Sequence, residues 1–402
     1  MARYFTHAAI WALITLLTIS CKKDPVTIPI TEIKLSPGLF SLNVDSTFMI
    51  DAKISPSDAS DTILVWYSSN SAIATVNSSG MVTGISTGID TIKATTSDGK
   101  ISAISVVTVT KWTYYTYDQI SSGVNVITID LQGNKWFGTS ADGVSKFDDT
   151  NWTIYNSSNC ILPYDGVRAI AIDQSGNKWI GTPFGVSKFD GNKWTNYNTS
   201  NSGLAYNQIN AIAIDGLENK WFGTLDGVSK FDGVDWKNYT TSNSSLATNY
   251  ISAIAIDAKG NKWFGTSIGV TKFDDVNWTT YNTGNCALLS NIIFALSVDL
   301  KGNIWLGTDN GLTKYDGTHW ATYTTANSGL CSNEIRGISI DAQGNIWIGT
   351  EGGGASKFDG INWLTYTQEN GIAWRNILSV AVDKQGNKWF GYYNGVCELK
   401  DY

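Results

Sequence analysis

The sequence predicts an all-β protein in which a β-sandwich precedes a seven-bladed β-propeller with four strands per blade. Three observations carry this. The 402 residues include 17 Trp, 18 Tyr, 14 Phe and 39 Gly but only 6 Pro and 3 Met, a composition suited to strands and tight turns. A phrase of the form Gly-Asn-Lys-Trp recurs with its tryptophan at 136, 179, 221, 263, 305, 347 and 389, spacings of 43 and then 42 residues. A second series, Trp-x-x-Tyr, has its tryptophan at 112, 152, 194, 236, 278, 320 and 363. A fixed period of about 20–50 residues marks a repeat architecture. The absence of helical periodicity excludes a helical solenoid.

Residues 1–20 read as an export signal: Arg3 supplies the charged start, and Ala8 to Leu17 is an apolar run too short to span a bilayer. The run closes on Ser20-Cys21 followed by Lys22, Lys23 and Asp24, and it resembles a bacterial lipoprotein signal of the Bacteroidetes type. The resemblance implies cleavage before Cys21 and lipidation of its thiol, with residues 21–27 as a tether. The expected address is extracytoplasmic, lipid-anchored to the bacterial envelope, the outer membrane being the favoured one.

From 28 to 110 short alternating stretches (Glu32 to Leu35, Phe48 to Ala52, Ile63 to Tyr67, Asp90 to Thr95, Ile104 to Val109) are separated by Ser, Gly and Asp turns, the pattern of a β-sandwich with Trp66 buried on a central strand. Val65-Trp66-Tyr67-Ser68-Ser69-Asn70, Ile73 to Val76 and Ser79 to Gly84 resemble the group 2 bacterial immunoglobulin-like domain. The resemblance implies a spacer or adhesive module.

The repeat fills 111–402. Each unit reads as four strands, a to d: an apolar stretch ending in Asp, a Gly-Asn turn into Lys-Trp-Ile-Gly-Thr, Gly-Val-Ser-Lys-Phe-Asp, and Trp-Thr-Asn-Tyr. The region opens on a Trp-x-x-Tyr strand at Trp112 and ends without one, so the first strand is expected to complete the last blade and remove its open edge. In strand d the two aromatics, three residues apart, fall on opposite faces and can meet the preceding and following blades. The aspartates ending strand a (Asp130, Asp173, Asp215, Asp257, Asp299, Asp341 and Asp383) read as turn residues, because one carboxylate per turn lacks the ligand density of a calcium loop. The units, for example Asp341 to Thr350, resemble the two-component regulator propeller repeat. In that family the repeats form extracytoplasmic ligand-sensing parts of hybrid histidine kinases, commonly for glycans.

Composition narrows the function classes. A net charge of −7 supplies no basic surface for nucleic acid. The two histidines, His7 and His319, disfavour histidine triads and histidine-rich metal sites; no metal and no cofactor are expected. Function is expected on the rim carrying the b–c and d–a connections, which vary between units. Arg168, Arg336 and Arg375 are read as starting inner strands there. With Phe184, Trp374 and Tyr393 for stacking, and Asp226 and Asp309 for directional hydrogen bonds, they form the candidate ligand-binding set. Exposed carboxylates such as Asp142, Asp226, Asp309 and Glu351 carry no motif of a catalytic pair, so an enzyme is not expected. Cys286 and Cys331 lie in neighbouring connections and could bridge, whereas Cys397 reads as core. The function expected is a cell-envelope lipoprotein whose propeller binds a glycan or protein ligand without catalysis. A structural or adhesive surface protein is the alternative, and a polysaccharide-active enzyme the third reading.

Overall fold

The computed structural model describes residues 27–116, 119–120 and 122–400, so the leader and Cys21 lie outside the described residues. The chain is all-β, with a single short helical turn, η1 (Gln368–Asn370), among the described residues.

The N-terminal part holds β1 (Glu32–Ser36), β2 (Leu39–Asn43), β3 (Thr47–Met49), β4 (Asp51–Ser55), β5 (Leu64–Ser68), β6 (Ala74–Val76), β7 (Met81–Gly84), β8 (Gly88–Thr96) and β9 (Ser102–Thr110). A sheet of order β2-β9-β8-β5, another of order β3-β7-β6 and the β1-β4 pair surround one core containing Leu35, Leu42, Ile50, Val82, Ile92 and Val107. Asp90 is buried on β8, and its cost is met by donors from Ser68, Ser69 and the Asn70 and Thr91 amides. Three details differ from the sequence reading. Trp66 is half-buried on β5, an edge strand, instead of buried on a central one. The Phe48–Ala52 stretch divides at the buried Ile50, and its two halves, β3 and β4, pair in different sheets. Strand β2, which pairs in parallel with β9, was not expected.

Only Lys111 separates β9 from β10 (Trp112–Tyr115). Four-stranded antiparallel sheets then follow in chain order: β11–β14 (124–155), β15–β18 (169–197), β19–β22 (209–239), β23–β26 (253–281), β27–β30 (293–323) and β31–β34 (335–366). The last sheet has the order β10-β37-β36-β35, combining β35–β37 (377–399) with β10. Its ladder runs from Trp112 opposite Leu399 to Tyr115 opposite Val396. Each sheet's first strand (β11, β15, β19, β23, β27, β31, β35) packs on the next, and β35 packs on β11.

The repeated aromatics are packing between sheets. Tyr155 touches Trp194, Tyr197 touches Trp236, Tyr239 touches Trp278, Tyr281 touches Trp320 and Tyr323 touches Trp363, with ring centroids 5.4–5.9 Å apart. Tyr366 on Trp112 and Tyr115 on Trp152 extend the series through the last sheet. The glycine of Lys-Trp-Phe-Gly is required by close approach: a Cβ at Gly223 would lie 2.6 Å from Ile251 of the following sheet.

Each aspartate ending strand a binds the repeat tryptophan six residues later. The indole N–H donates to Oδ2 at 2.9–3.1 Å in all seven copies, from Trp136 on Asp130 to Trp389 on Asp383. Asparagine side chains and turn amides donate to the same carboxylates, as Asn134 does to Asp130. Glu218, in place of the turn glycine, adopts φ +66° and accepts from Lys220. Cys160, Cys286, Cys331 and Cys397 are all free thiols, so the Cys286–Cys331 bridge does not form; Cys397 is buried, which pushes its thiol up to about 12.

The N-terminal part packs on the sheet β31–β34 and on the loop that follows it. Strand β2 packs on β34 (Trp363–Tyr366) and η1. Asn370 Nδ2 donates to Ser41 Oγ at 2.7 Å, and Ser41 Oγ donates to the Thr365 carbonyl at 3.1 Å.

Candidate functional site

Four antiparallel strands per sheet put the a–b and c–d turns at one end and the b–c and d–a connections at the other. The two kinds of connection are tied together. The Gly143 amide donates to the Asp165 carbonyl, Gly227 to Asn249, Gly269 to Asn291 and Gly354 to Arg375, all at 2.7–2.8 Å. This end is the candidate rim.

Its charges are segregated. The lysines between 111 and 400 lie at the start of strands b and d, the end of strand c, or in the a–b and c–d turns, away from the rim, whereas Arg168, Arg336 and Arg375 lie on it. Among the described residues the rim carries seven carboxylates (Asp142, Asp165, Asp226, Asp309, Glu334, Glu351 and Glu369) against those three guanidiniums.

The predicted residues fall into separate sectors. Arg168 is exposed and donates to Asn210 Oδ1 of the next sheet at 3.1 Å. Phe184, 55% exposed, meets Tyr164 edge-on at 5.1 Å. Asp226 accepts from Asn249 Nδ2 at 2.8 Å, and Asp309 is exposed. Arg336 lies over Phe294 at 4.3 Å and is held by two acids, Glu351 at 2.7 Å and Glu334. Trp374, Arg375 and Tyr393 are exposed on the connections around the last sheet.

Arg375 does not start an inner strand, since β35 begins at Ile377. The 42-residue register instead aligns it with Asp165, Asn207, Asn249, Asn291 and Asn333. Each of those side chains accepts a backbone amide eight residues earlier, from Ser157, Thr199, Thr241, Thr283 and Thr325. A guanidinium has no acceptor, so Arg375 cannot hold its loop this way. Two added contacts do: the Tyr114 hydroxyl donates to the Gly371 carbonyl at 2.6 Å, and Asn370 Nδ2 donates to Ser41; the bond from the Thr367 amide to Asn370 Oδ1 is one the other loops share.

The same register aligns Trp374 with Tyr164 and Tyr206, which the sequence reading missed together with Tyr250. All are exposed. For Tyr164 and Tyr206 the signal was an aromatic recurring three residues before the buried aliphatic that leads into strand a, Val167 and Ile209, as Trp374 precedes Ile377.

Comparisons with known proteins agree with this organisation. Residues 29–107 match the bacterial Ig-like domain (group 2), and residues 329–352 match the two component regulator propeller. A 69-residue segment is 38% identical to lacto-N-biosidase of Bifidobacterium bifidum, covering 17% of this chain but only 6% of that enzyme. The extracellular domain of a hybrid two component system from B. thetaiotaomicron is similar in structure, with TM-score 0.63 and 28% identity over 77% of this chain. The chain spans 44% of that domain's length. A second such extracellular domain from the same organism matches at TM-score 0.61 and 17% identity, covering 72% of this chain and 40% of its own. Virginiamycin B lyase from Staphylococcus aureus has TM-score 0.61 at 14% identity, over 73% of this chain and all of the lyase, a likeness of fold alone. The region after 110 is propeller-like. No helix among the described residues is long and apolar enough to cross a membrane.

Proposed function

We propose that residues 111–400 form a closed seven-bladed propeller carried on an Ig-like β-sandwich, and that the protein is an extracytoplasmic binding module. Its rim takes a glycan or protein ligand without catalysis. Closure is supported by the β10–β37 ladder and the β35–β11 packing. The address is supported by likeness to extracellular domains, and anchoring through a lipid on Cys21 rests on the leader sequence.

The observation that carries the binding reading is Arg375. In the 367–376 loop the repeat's holding side chain is given up for an exposed guanidinium beside an exposed Trp374, while Tyr114 and Ser41 add support to the loop. Rim acids beyond the three arginines favour a neutral or basic ligand over an acidic polysaccharide. Pairing of Glu334 and Glu351 with one guanidinium favours binding over acid–base chemistry.

The test is a glycan array and an envelope-protein binding screen with the purified protein. Saturable binding that falls at least tenfold in Trp374→Ala and Arg375→Ala, and not in Lys259→Ala on the opposite end, is expected. Binding indifferent to the rim variants would overturn the assignment, and cell adhesion without saturable ligand would favour the structural alternative. Loss of fatty-acid labelling in Cys21→Ala tests the anchor.

A further inference from the structure

Away from the rim, in four sheets the repeat tryptophan of strand b carries two ammonium groups. Trp136 lies under Lys146 at 6.0 Å and Lys178 at 4.8 Å. Trp179 lies under Lys188 at 5.6 Å and Lys220 at 5.5 Å. Trp221 pairs with Lys230 and Lys262, and Trp347 with Lys357 and Lys388, at 5.1–5.6 Å. The first lysine comes from strand c of the same sheet. The second opens strand b of the following sheet and also approaches the aspartate bonded to that indole: Lys178 lies 3.6 Å from Asp130, and Lys220 3.9 Å from Asp173.

Between the fourth and fifth sheets the second lysine is replaced. Trp263 carries Lys272 at 5.7 Å, and the residue opening the next strand b is Ile304. Asp257 keeps the usual bonds there, accepting on Oδ2 from Asn261 at 2.7 Å and from the Trp263 indole at 3.1 Å. A cleft of about 330 Å³ opens at this interface, lined by Asp257, Trp263, Lys272, Ile304, Tyr315 and Asp316. The next interface has Ile346 at the same position.

We propose that this cleft binds a primary alkylammonium group: a lysine side chain offered by another protein, or a free aliphatic amine. The chemistry is the one the repeat itself uses, an indole beside a carboxylate oxygen, in a place where the chain supplies one ammonium, Lys272, and has Ile304 where the second would stand. Lys272 does not exclude a guest, because its counterparts Lys146, Lys188, Lys230 and Lys357 each share their tryptophan with a second lysine. Lys259 and Lys301, on exposed a–b turns at the cleft, oppose a cation and set its salt dependence. Asp316 already accepts the Thr318 and His319 amides and adds only its charge.

Calorimetric titration of the whole protein with n-pentylamine, with a blocked lysine peptide and with n-pentanol tests this. Saturable millimolar binding of an amine and none of pentanol is expected. Ile304→Lys, which restores the repeat's own residue, should abolish it, and Lys301→Gln should strengthen it at least twofold. Tighter binding of the peptide identifies a protein lysine as the source, and binding of pentylamine alone identifies a free amine. No amine binding, amine binding that survives Ile304→Lys in a folded variant, or phosphate binding in place of amine would overturn the proposal. None of these results bears on the rim.

Discussion

Tyr366 meets Trp112 edge-on at 5.8 Å, although the two residues belong to opposite ends of the repeat region. Trp112 is 6% exposed and also donates its indole N–H to the Asn370 carbonyl at 3.2 Å. Trp112→Ala should cost about 3–5 kcal/mol, the usual range for a buried aromatic. The measurement is the urea midpoint. A loss well under 1 kcal/mol would show that β10 contributes little to the last sheet.

The indole–carboxylate pair gives a second prediction. Asp215→Ala leaves the Trp221 indole, the Asn219 side chain and two turn amides without their acceptor. An unsatisfied buried donor costs about 1–3 kcal/mol, so a loss of about 3 kcal/mol or more is expected in the same denaturation assay. Trp221→Phe, which keeps most of the ring, should cost less than Asp215→Ala.

These carboxylates also set the acid limit. Burial opposes ionisation of Asp130, Asp173, Asp215, Asp257, Asp299 and Asp341, but hydrogen bonds from the indole, the asparagine and the turn amides outweigh it and hold each below its ordinary value. Their stabilisation is present above the unfolded carboxylate value, about 4, and is lost as pH falls through the folded values. Thermal midpoints recorded from pH 5 down to 2 should fall steeply below about pH 4.

Glu398 has the opposite sign. It stands where the other sheets carry the strand-c lysine, and burial raises its carboxyl despite the Tyr115 hydroxyl bond. A raised acid favours folding below its unfolded value and loses that contribution as pH rises through the folded one. Glu398→Gln should therefore raise the thermal midpoint at pH 7 to 8 and leave it unchanged near pH 3. A fall at neutral pH would contradict the assignment.

Support of the Trp374 loop from the N-terminal part is testable by hydrogen exchange. Ser41→Ala removes its bonds with Asn370 and the Thr365 carbonyl and leaves the loop's own bonds between Asn370 and Thr365 and Thr367 in place. Amides of 367–376 should exchange at least tenfold faster, while those of the equivalent loop 325–334, held by Asn333, should not change.

Much of this architecture was legible because repetition amplifies weak local signals. One Trp-x-x-Tyr says little, but seven at spacings of 40 to 43 residues specify strands, their order and the opposite faces on which Trp and Tyr pack. The N-terminal part has no repeat, and there the reading lost β2, the break at Ile50 and the edge position of Trp66. Parallel pairing of β2 with β9 is a long-range contact that alternation within a segment cannot reveal. At the rim, type and exposure of residues were legible but partners were not. Arg336 looked free in the sequence because Glu351 follows 15 residues later, across a hairpin, and Phe294 precedes it by a full unit. Arg375 was placed on a strand because adjacent Arg and apolar residues mimic a strand start, whereas alignment by the 42-residue register places it in the loop.

The single residue between β9 and β10 has a mechanical consequence. Any pull exerted on the N-terminal part enters β10 directly at Trp112, with no slack linker to absorb it. That strand is paired through four residues, Trp112 to Tyr115, to β37, the last strand among the described residues. Tension between an attachment before residue 28 and an occupied rim would thus load the seam where the first and last strands meet. The same pairing that shields the sheet edge therefore also lies on the path of that force.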